Sequence, residues 1–309
     1  MKNKFILTFV LFAIIFALLY KGVQDLDFID SDKNQERTNS ITTYKDSTEI
    51  ESVDSDNLIF LLCGVDSADI EESGTRTDAI IIIKTDFDTG EISLLSIPRD
   101  TKITINNKTQ KINSAHAING MELTMETVND LLGLDIEYYV KVDYKVVMDV
   151  VDIIGGVEIE VPFLMEYKDP VAVPPLDIYI EEGLRVLDGK NAHDFLRWRK
   201  NNLQTVQYPE GDLGRIKAQQ YFLTEMIKQT LNSDNLMIKM PSIAKTYFEN
   251  IETNLNMQAI FKGIRLANNL DTDNIVSEVL PGEGRYIGNV SYYLHDEEET
   301  KEVVNRLYR

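Results

Sequence analysis

The apolar positions of this chain change their spacing from one stretch to the next, and the changes mark its parts. Residues 5–20 are almost wholly apolar, with Lys2 and Lys4 before them and Lys21 after. A membrane-spanning helix usually takes roughly 17–25 residues, so this run is near the short end, and Tyr20 with the flanking lysines can complete it at the interface. A cleaved signal peptide is the competing reading, but no A-x-A site follows the apolar core and the run exceeds a usual h-region. Residues 1–21 are therefore expected to be an uncleaved N-terminal transmembrane anchor with its short end in the cytoplasm. Residues 22–57 carry Asp, Ser, Thr, Asn, Lys and Glu with few apolar positions and predict a solvated extracellular tether.

From residue 58 the pattern becomes that of a folded domain, expected to run over 58–309. Branched apolar runs at 58–63, 79–84 and 91–97 predict strands, with Asp88-Thr89-Gly90 turning between the last two, and 101–105 predicts a fourth, outer strand. Over 114–132, Met121, Met125, Val128 and Leu132 fall on one helical face. A strand follows at 138–143, then a helix over 144–154 that Gly155-Gly156 should stop. Strands are predicted at 157–161 and 176–180 with a Pro-containing loop between them. A helix carrying Arg197 and Arg199, a helix over 214–231, and helical patterns at 240–249 and 257–269 come next. The chain closes with a strand at 276–280, a Gly-rich turn and a charged helix from 296. Strands and helices alternate without regular βαβ spacing, which predicts a single α/β domain, a mixed central sheet covered by helices on both faces.

Composition narrows the function. The chain has 309 residues and a formal charge of −20, which argues against nucleic acid as a partner but not against a small anion held by a local basic patch. The lone Cys63 lies inside an apolar run and reads as a buried thiol rather than a nucleophile. His116, His193 and His295 show no paired spacing for zinc, and there is no P-loop, nucleophile elbow or dinucleotide glycine fingerprint.

Against that acidic background, residues 195–220 concentrate Arg197, Arg199, Arg215, Asp212 and Gln219. Guanidinium groups match phosphate in shape and stay charged at any working pH. Arg197 and Arg199 are two apart and reach one ligand only if the helix ends there and the chain opens out. Arg215 and Gln219, at i and i+4, project from one side of the next helix. Asp212 is placed either to cap that helix or to serve catalysis and orient arginines. Earlier in the chain, Gly64-Val65-Asp66, Arg76-Thr77-Asp78 and Ser96-Ile97-Pro98-Arg99-Asp100 adjoin predicted strands and can gather at one sheet edge. Asp66 and Asp78 could hold Mg²⁺, which takes one or two carboxylates and completes its shell with water and phosphate oxygens. So many arginines suit a pyrophosphate better than a monophosphate.

In order, the segments GVD, RTD, SIPRDT, KINSAHAING, VDIIGGVEIEVP, LDGKNAHDFLRWRK and GDLGRIKAQQ resemble the LytR-CpsA-Psr family, from about residue 58 to 231 and more weakly beyond. The resemblance implies an α/β/α sandwich whose apolar interior takes up a polyprenyl tail. It implies an extracytoplasmic phosphotransferase that moves an anionic glycopolymer, such as teichoic acid or capsule, from an undecaprenyl pyrophosphate carrier to peptidoglycan at the cell membrane. Carried over, the pyrophosphate-binding positions are Arg76, Arg99, Arg197, Arg199, Arg215 and Gln219, and the magnesium-associated ones are Asp66 and Asp78. Asp212 would hold arginines in place. Asp100 or Asp212 is available to accept the proton of the attacking hydroxyl. Three departures stand out: no arginine follows Asp66 closely, Ala218 replaces an arginine before the glutamine pair, and the loop between Arg199 and Asp212 is extended. A pyrophosphatase acting on the same donor and a non-catalytic binder of lipid-linked glycans are the other readings.

Overall fold

The computed structural model describes residues 57–65, 74–172, 175–231, 251–266 and 269–309. The apolar run at 5–20, Asp66 and the helical pattern at 240–249 lie outside them. Among the described residues no helix is long and apolar enough to cross a membrane.

Branched apolar runs form the core of a six-stranded sheet. Its strands are β1 (Asn57–Val65), β2 (Thr77–Asp86), β3 (Ile92–Ser96), β6 (Tyr138–Asp143), β11 (Ile251–Thr253) and β12 (Ile275–Val279), in the order β11-β6-β1-β2-β3-β12. The sheet is mixed as expected: β1 runs parallel to β6 and antiparallel to β2, and β3 antiparallel to β2 and parallel to β12. The C-terminal ends of β1, β3, β6 and β12 therefore share one edge with the start of β2.

Alternation along the strands sends side chains to two faces. Leu61, Cys63, Ile80, Ile82 and Leu95 pack on one face with Met121, Val128 and Leu132 of α1 (Ser114–Leu132) and Val304 and Leu307 of α6 (Glu297–Tyr308). Phe60, Ile81, Ile83 and Leu94 point to the other face, where Ala259 of α5 (Met257–Leu266) and Leu223 of α4 (Asp212–Leu231) cover them. The arrangement is helix, sheet, helix. Helix α1 is interrupted at Asn119 and Gly120, whose backbone leaves the helical region, so its first turn is a separate piece.

A third cluster lies beside the sheet. It joins α2 (Tyr144–Ile154), α3 (Gly189–Arg197) and α4 to the strands β7 (Val157–Val161), β8 (Met165–Asp169), β9 (Leu176–Ile180) and β10 (Gly183–Leu187). Helix α2 starts where the Asp143 carboxylate accepts from the Val146 amide and stops at Gly155, which adopts a left-handed φ of 95°. Strand β8, inside the stretch expected to be loop, pairs with the expected strand β9, and β10 pairs with β7.

Two more hairpins depart from expectation. β4 (Lys102–Ile105) does not extend the main sheet but pairs with β5 (Lys108–Lys111) alone. The Gly-rich turn near the end is a hairpin of β13 (Gly282–Ile287) and β14 (Val290–His295), tied to the loop after β3 by a bond from the Tyr293 amide to the Asp100 carbonyl.

Candidate active site

The shared sheet edge carries the site. Asp78 falls in the register shift between the pairs Gly64–Ala79 and Val65–Thr77, so it is the extra residue of a bulge at the start of β2. Bulges re-aim side chains, and this one places the Asp78 carboxylate against Arg99, three residues beyond β3, with which it forms a short ion pair. Helix α3 ends at Arg197, and Trp198 follows with an extended backbone (φ −63°, ψ 141°). The chain opens out at that point, as the spacing of Arg197 and Arg199 requires. Trp198 turns into the core while both arginines line a common cleft with Asp78, Arg99, Lys200 and Arg215.

That cleft, of about 380 Å³, has one lining carboxylate against five lining cations. The guanidinium groups act on one another. Burial of the Arg199 head group lowers its pKa first, and repulsion from Arg215 and Arg99 lowers it further, with Asp212 and Asp78 working in the opposite direction. Arg99 loses by burial but gains more from Asp78 and Asp212, and its pKa is raised. Arg215 is 4% exposed, and its Nη2 lies 2.8 Å from Asp212 Oδ1 without hydrogen-bond geometry. Its Nε and Nη2, like the Nε of Arg99, are buried donors with no hydrogen-bond partner. Such donors are costly unless satisfied, so the site is built to receive acceptors.

A second, apolar cavity of about 100 Å³ adjoins the cleft. Leu62, Ile81, Val147, Phe222, Leu223 and Met226 are among its walls, and Asp78 and Tyr144 line both spaces. An anionic head and an apolar tail thus have neighbouring receptacles.

The other expected site residues fall as follows. Arg76 is exposed and outside both cavities, two residues before Asp78. Gln219 does not line the arginine cleft. It borders the apolar cavity, and its amide donates to the Leu196 carbonyl at 3.0 Å, tying α4 to α3. Asp100 does not line the cleft either, and its carboxylate pairs with Lys111 at 3.0 Å. Asp212 is the first residue of α4, its carboxylate pairs with Arg215, and it does not line the cleft. Asp66 lies outside the described residues. Among those described, no group of three or more His, Cys, Asp or Glu side chains is placed to hold a metal. Asp78 alone still suits Mg²⁺, a hard cation content with one carboxylate when phosphate oxygens and water supply the rest.

Six lining residues escaped the sequence reading as parts of the site: Tyr144, Tyr167, Leu176, Ile178, Trp198 and Lys200. The Arg-Trp-Arg-Lys run held a signal only for the side chains of one parity, because a chain leaving a helix in extended form turns Arg197 and Arg199 to one side and Trp198 to the other.

The sequence profile of the LytR_cpsA_psr family matches residues 25–309. The chain belongs to the LytR-CpsA-Psr family. A related polyisoprenyl-teichoic acid–peptidoglycan teichoic acid transferase, TagV of Bacillus subtilis, is 31% identical over 258 residues, which are 80% of this chain and 62% of the relative. TagU of Bacillus licheniformis, which bears the same transferase name, is 30% identical over 265 residues, covering 83% of this chain and 79% of the relative. The crystal structure of B. subtilis TagV superposes with a TM-score of 0.65 at 27% identity, covering 82% of this chain and 97% of that one. Against the family pattern, Ala218 packs on the third apolar cluster, so an arginine there would have to leave that contact to reach the cleft.

Proposed function

We propose that this family member is a phosphotransferase that moves an anionic glycopolymer from an undecaprenyl pyrophosphate carrier to peptidoglycan. The observation that carries the reading is the junction at Asp78 and Tyr144, where a cleft of five cations meets an apolar cavity. A pyrophosphate between a lipid and a glycan has that polarity, and the relatives are named as transferases of polyisoprenyl-linked teichoic acid to peptidoglycan.

In this reading Arg99, Arg197, Arg199 and Arg215 bind the pyrophosphate oxygens. The unpartnered donors of Arg99 and Arg215 are then satisfied, and charge developing on the bridging oxygen is stabilised in a partly dry site. A hydroxyl of the acceptor glycan attacks the phosphorus that bears the donor glycan. The new P–O bond forms as the bond to the polyprenyl phosphate breaks, and the leaving group takes the electron pair. Of the two carboxylates expected to accept the hydroxyl proton, Asp100 pairs with Lys111 and Asp212 with the cleft residue Arg215, and neither lines the cleft itself. Asp78, with Asp66 from the segment after β1, would hold Mg²⁺, which would neutralise phosphate charge when bound. Residues 1–21 would anchor the domain at the outer face of the cell membrane, where the carrier lipid resides.

The test is transfer by the full chain in detergent from a synthetic polyprenyl-pyrophosphate glycan to purified peptidoglycan. Wild type should release polyprenyl monophosphate and leave the glycan on peptidoglycan, with Mg²⁺ required after chelation. Arg99→Ala should lower kcat/KM at least a hundredfold. Release of free glycan phosphate whether or not acceptor is present would make the protein a pyrophosphatase instead, and binding without turnover would make it a carrier or scaffold.

A further inference from the structure

The extended loop 200–211, which the family resemblance does not explain, is a built wall. It closes on itself: Lys200 bridges Gln207, the Asn201 amide donates to the Val206 carbonyl at 2.9 Å, and the Asn201 side chain accepts from the Thr205 and Val206 amides at 2.9 and 3.2 Å. It is also fastened to β8. Asn202 Oδ1 accepts from the Lys168 amide and its Nδ2 donates to the Lys168 carbonyl, both at 2.7 Å, so one side-chain amide imitates a neighbouring strand. Tyr208 then inserts its ring beside Phe163 and Trp198, with centroids 5.4 and 5.3 Å away. Gly214 makes room for it, because a Cβ there would lie 2.6 Å from the Tyr208 Cβ.

Lys200, at the start of this wall, lines the arginine cleft. Tyr167 and Lys200 line the cleft but not the apolar cavity, whereas Asp78 and Tyr144 line both. A ligand with its tail in the cavity and its pyrophosphate on the arginines leaves Tyr167 and Lys200 free to meet its third part. Tyr167 is half-buried on β8 and Lys200 is exposed. An aromatic ring and a cation lining one cleft suit a pyranose, whose C–H face stacks on the ring while its hydroxyl or anionic substituents meet the ammonium.

We propose that Tyr167 and Lys200 form the subsite for the donor's first pyranose, the ring bonded to the pyrophosphate, and that Asn202 is a positioning residue that fixes the wall. The assignment rests on the phosphotransferase reading and adds to it a determinant of glycan choice.

The experiment measures binding of two synthetic ligands by the full chain in detergent: polyprenyl pyrophosphate and the same lipid carrying one N-acetylhexosamine. Tyr167→Ala should weaken the glycosylated ligand about tenfold and leave the bare one unchanged, while Tyr167→Phe, which keeps the ring, stays within about twofold of wild type. Asn202→Ala should show the same selectivity with a smaller loss. Equal weakening of both ligands by Tyr167→Ala, or no weakening of either, overturns the subsite. So does unchanged donor binding with a raised KM for the peptidoglycan acceptor, which would give the wall to the acceptor. Wild type that fails to bind even bare polyprenyl pyrophosphate refutes the phosphotransferase reading itself. Wild type that binds bare and glycosylated lipid equally refutes the subsite alone.

Discussion

His116 Nδ1 lies 2.8 Å from the carbonyl oxygen of Thr75, joining the buried first turn of α1 to the chain just before β2. A carbonyl only accepts, so Nδ1 carries the proton. Three residues earlier, the Asn113 amide donates to the Arg99 carbonyl at 3.2 Å. The same short turn of helix thus holds both segments that meet in the Asp78–Arg99 ion pair. The interruption at Asn119–Gly120 separates this brace from the longer part of α1, which serves the core.

The first prediction follows from that contact. His116→Ala removes the donor of this hydrogen bond, which should cost about 1 kcal/mol of stability in chemical denaturation. Looser placement of Asp78 should lower kcat about tenfold or more. His116→Asn, whose side-chain amide can stand near the position of Nδ1, should recover most of kcat, and His116→Phe should not. Equal activity of the Asn and Phe variants at equal stability would show that the ring acts by packing alone.

Cys63 is fully buried in the sheet core, and burial pushes its thiol pKa up to about 12, against a smaller opposing effect of Lys141. Native protein should therefore leave Cys63 unmodified by maleimide at neutral pH and react only after unfolding. Rapid labelling of the folded domain would contradict the burial.

Asp143 gives a prediction in pH. Burial raises its pKa above the usual carboxylate value, although the Val146 and Lys145 amides and the Lys145 charge work against that rise. Its contribution to stability is present below the unfolded pKa of about 3.9 and is lost as pH rises through the higher folded value. Asp143→Asn keeps a good helix cap and removes the buried charge. Its melting temperature should match wild type in acid and equal or exceed it at neutral pH. A variant markedly less stable at neutral pH would mean that the charge itself supports α2.

Which parts were legible follows from what each side chain does locally. β1, β2, β3 and β6 are buried, so their branched apolar runs announced them. Gly155 announced the end of α2 because a left-handed turn favours glycine. β5, with the sequence Lys-Thr-Gln-Lys, and β13, exposed along its whole length, bury nothing that would impose an alternating pattern. Their pairing comes from the partner strand. The arginines of the site were legible because a cation cluster in an acidic chain requires a cause. Gln219 was not, since helical spacing places it beside Arg215 but cannot show that the Leu196 carbonyl takes its amide. Tyr167 was hidden for a similar reason: it reaches the cleft through a hairpin held in place by Asn202, which bonds Lys168 from thirty-four residues later in the chain.

The apolar cavity offers a test that leaves the arginines untouched. Val147 lines it from α2 and does not line the cleft. Val147→Trp adds a bulky ring to a space of about 100 Å³, so the lipid end of a donor should be excluded while inorganic pyrophosphate still binds. Overpacking costs typically 1–3 kcal/mol, so the variant must first be shown folded by its melting transition. The expected result is retained pyrophosphate affinity with at least a tenfold loss for polyprenyl pyrophosphate. Unchanged binding of the long-chain lipid would place the tail elsewhere, and the contiguity at Asp78 and Tyr144 would then have no part in recognition.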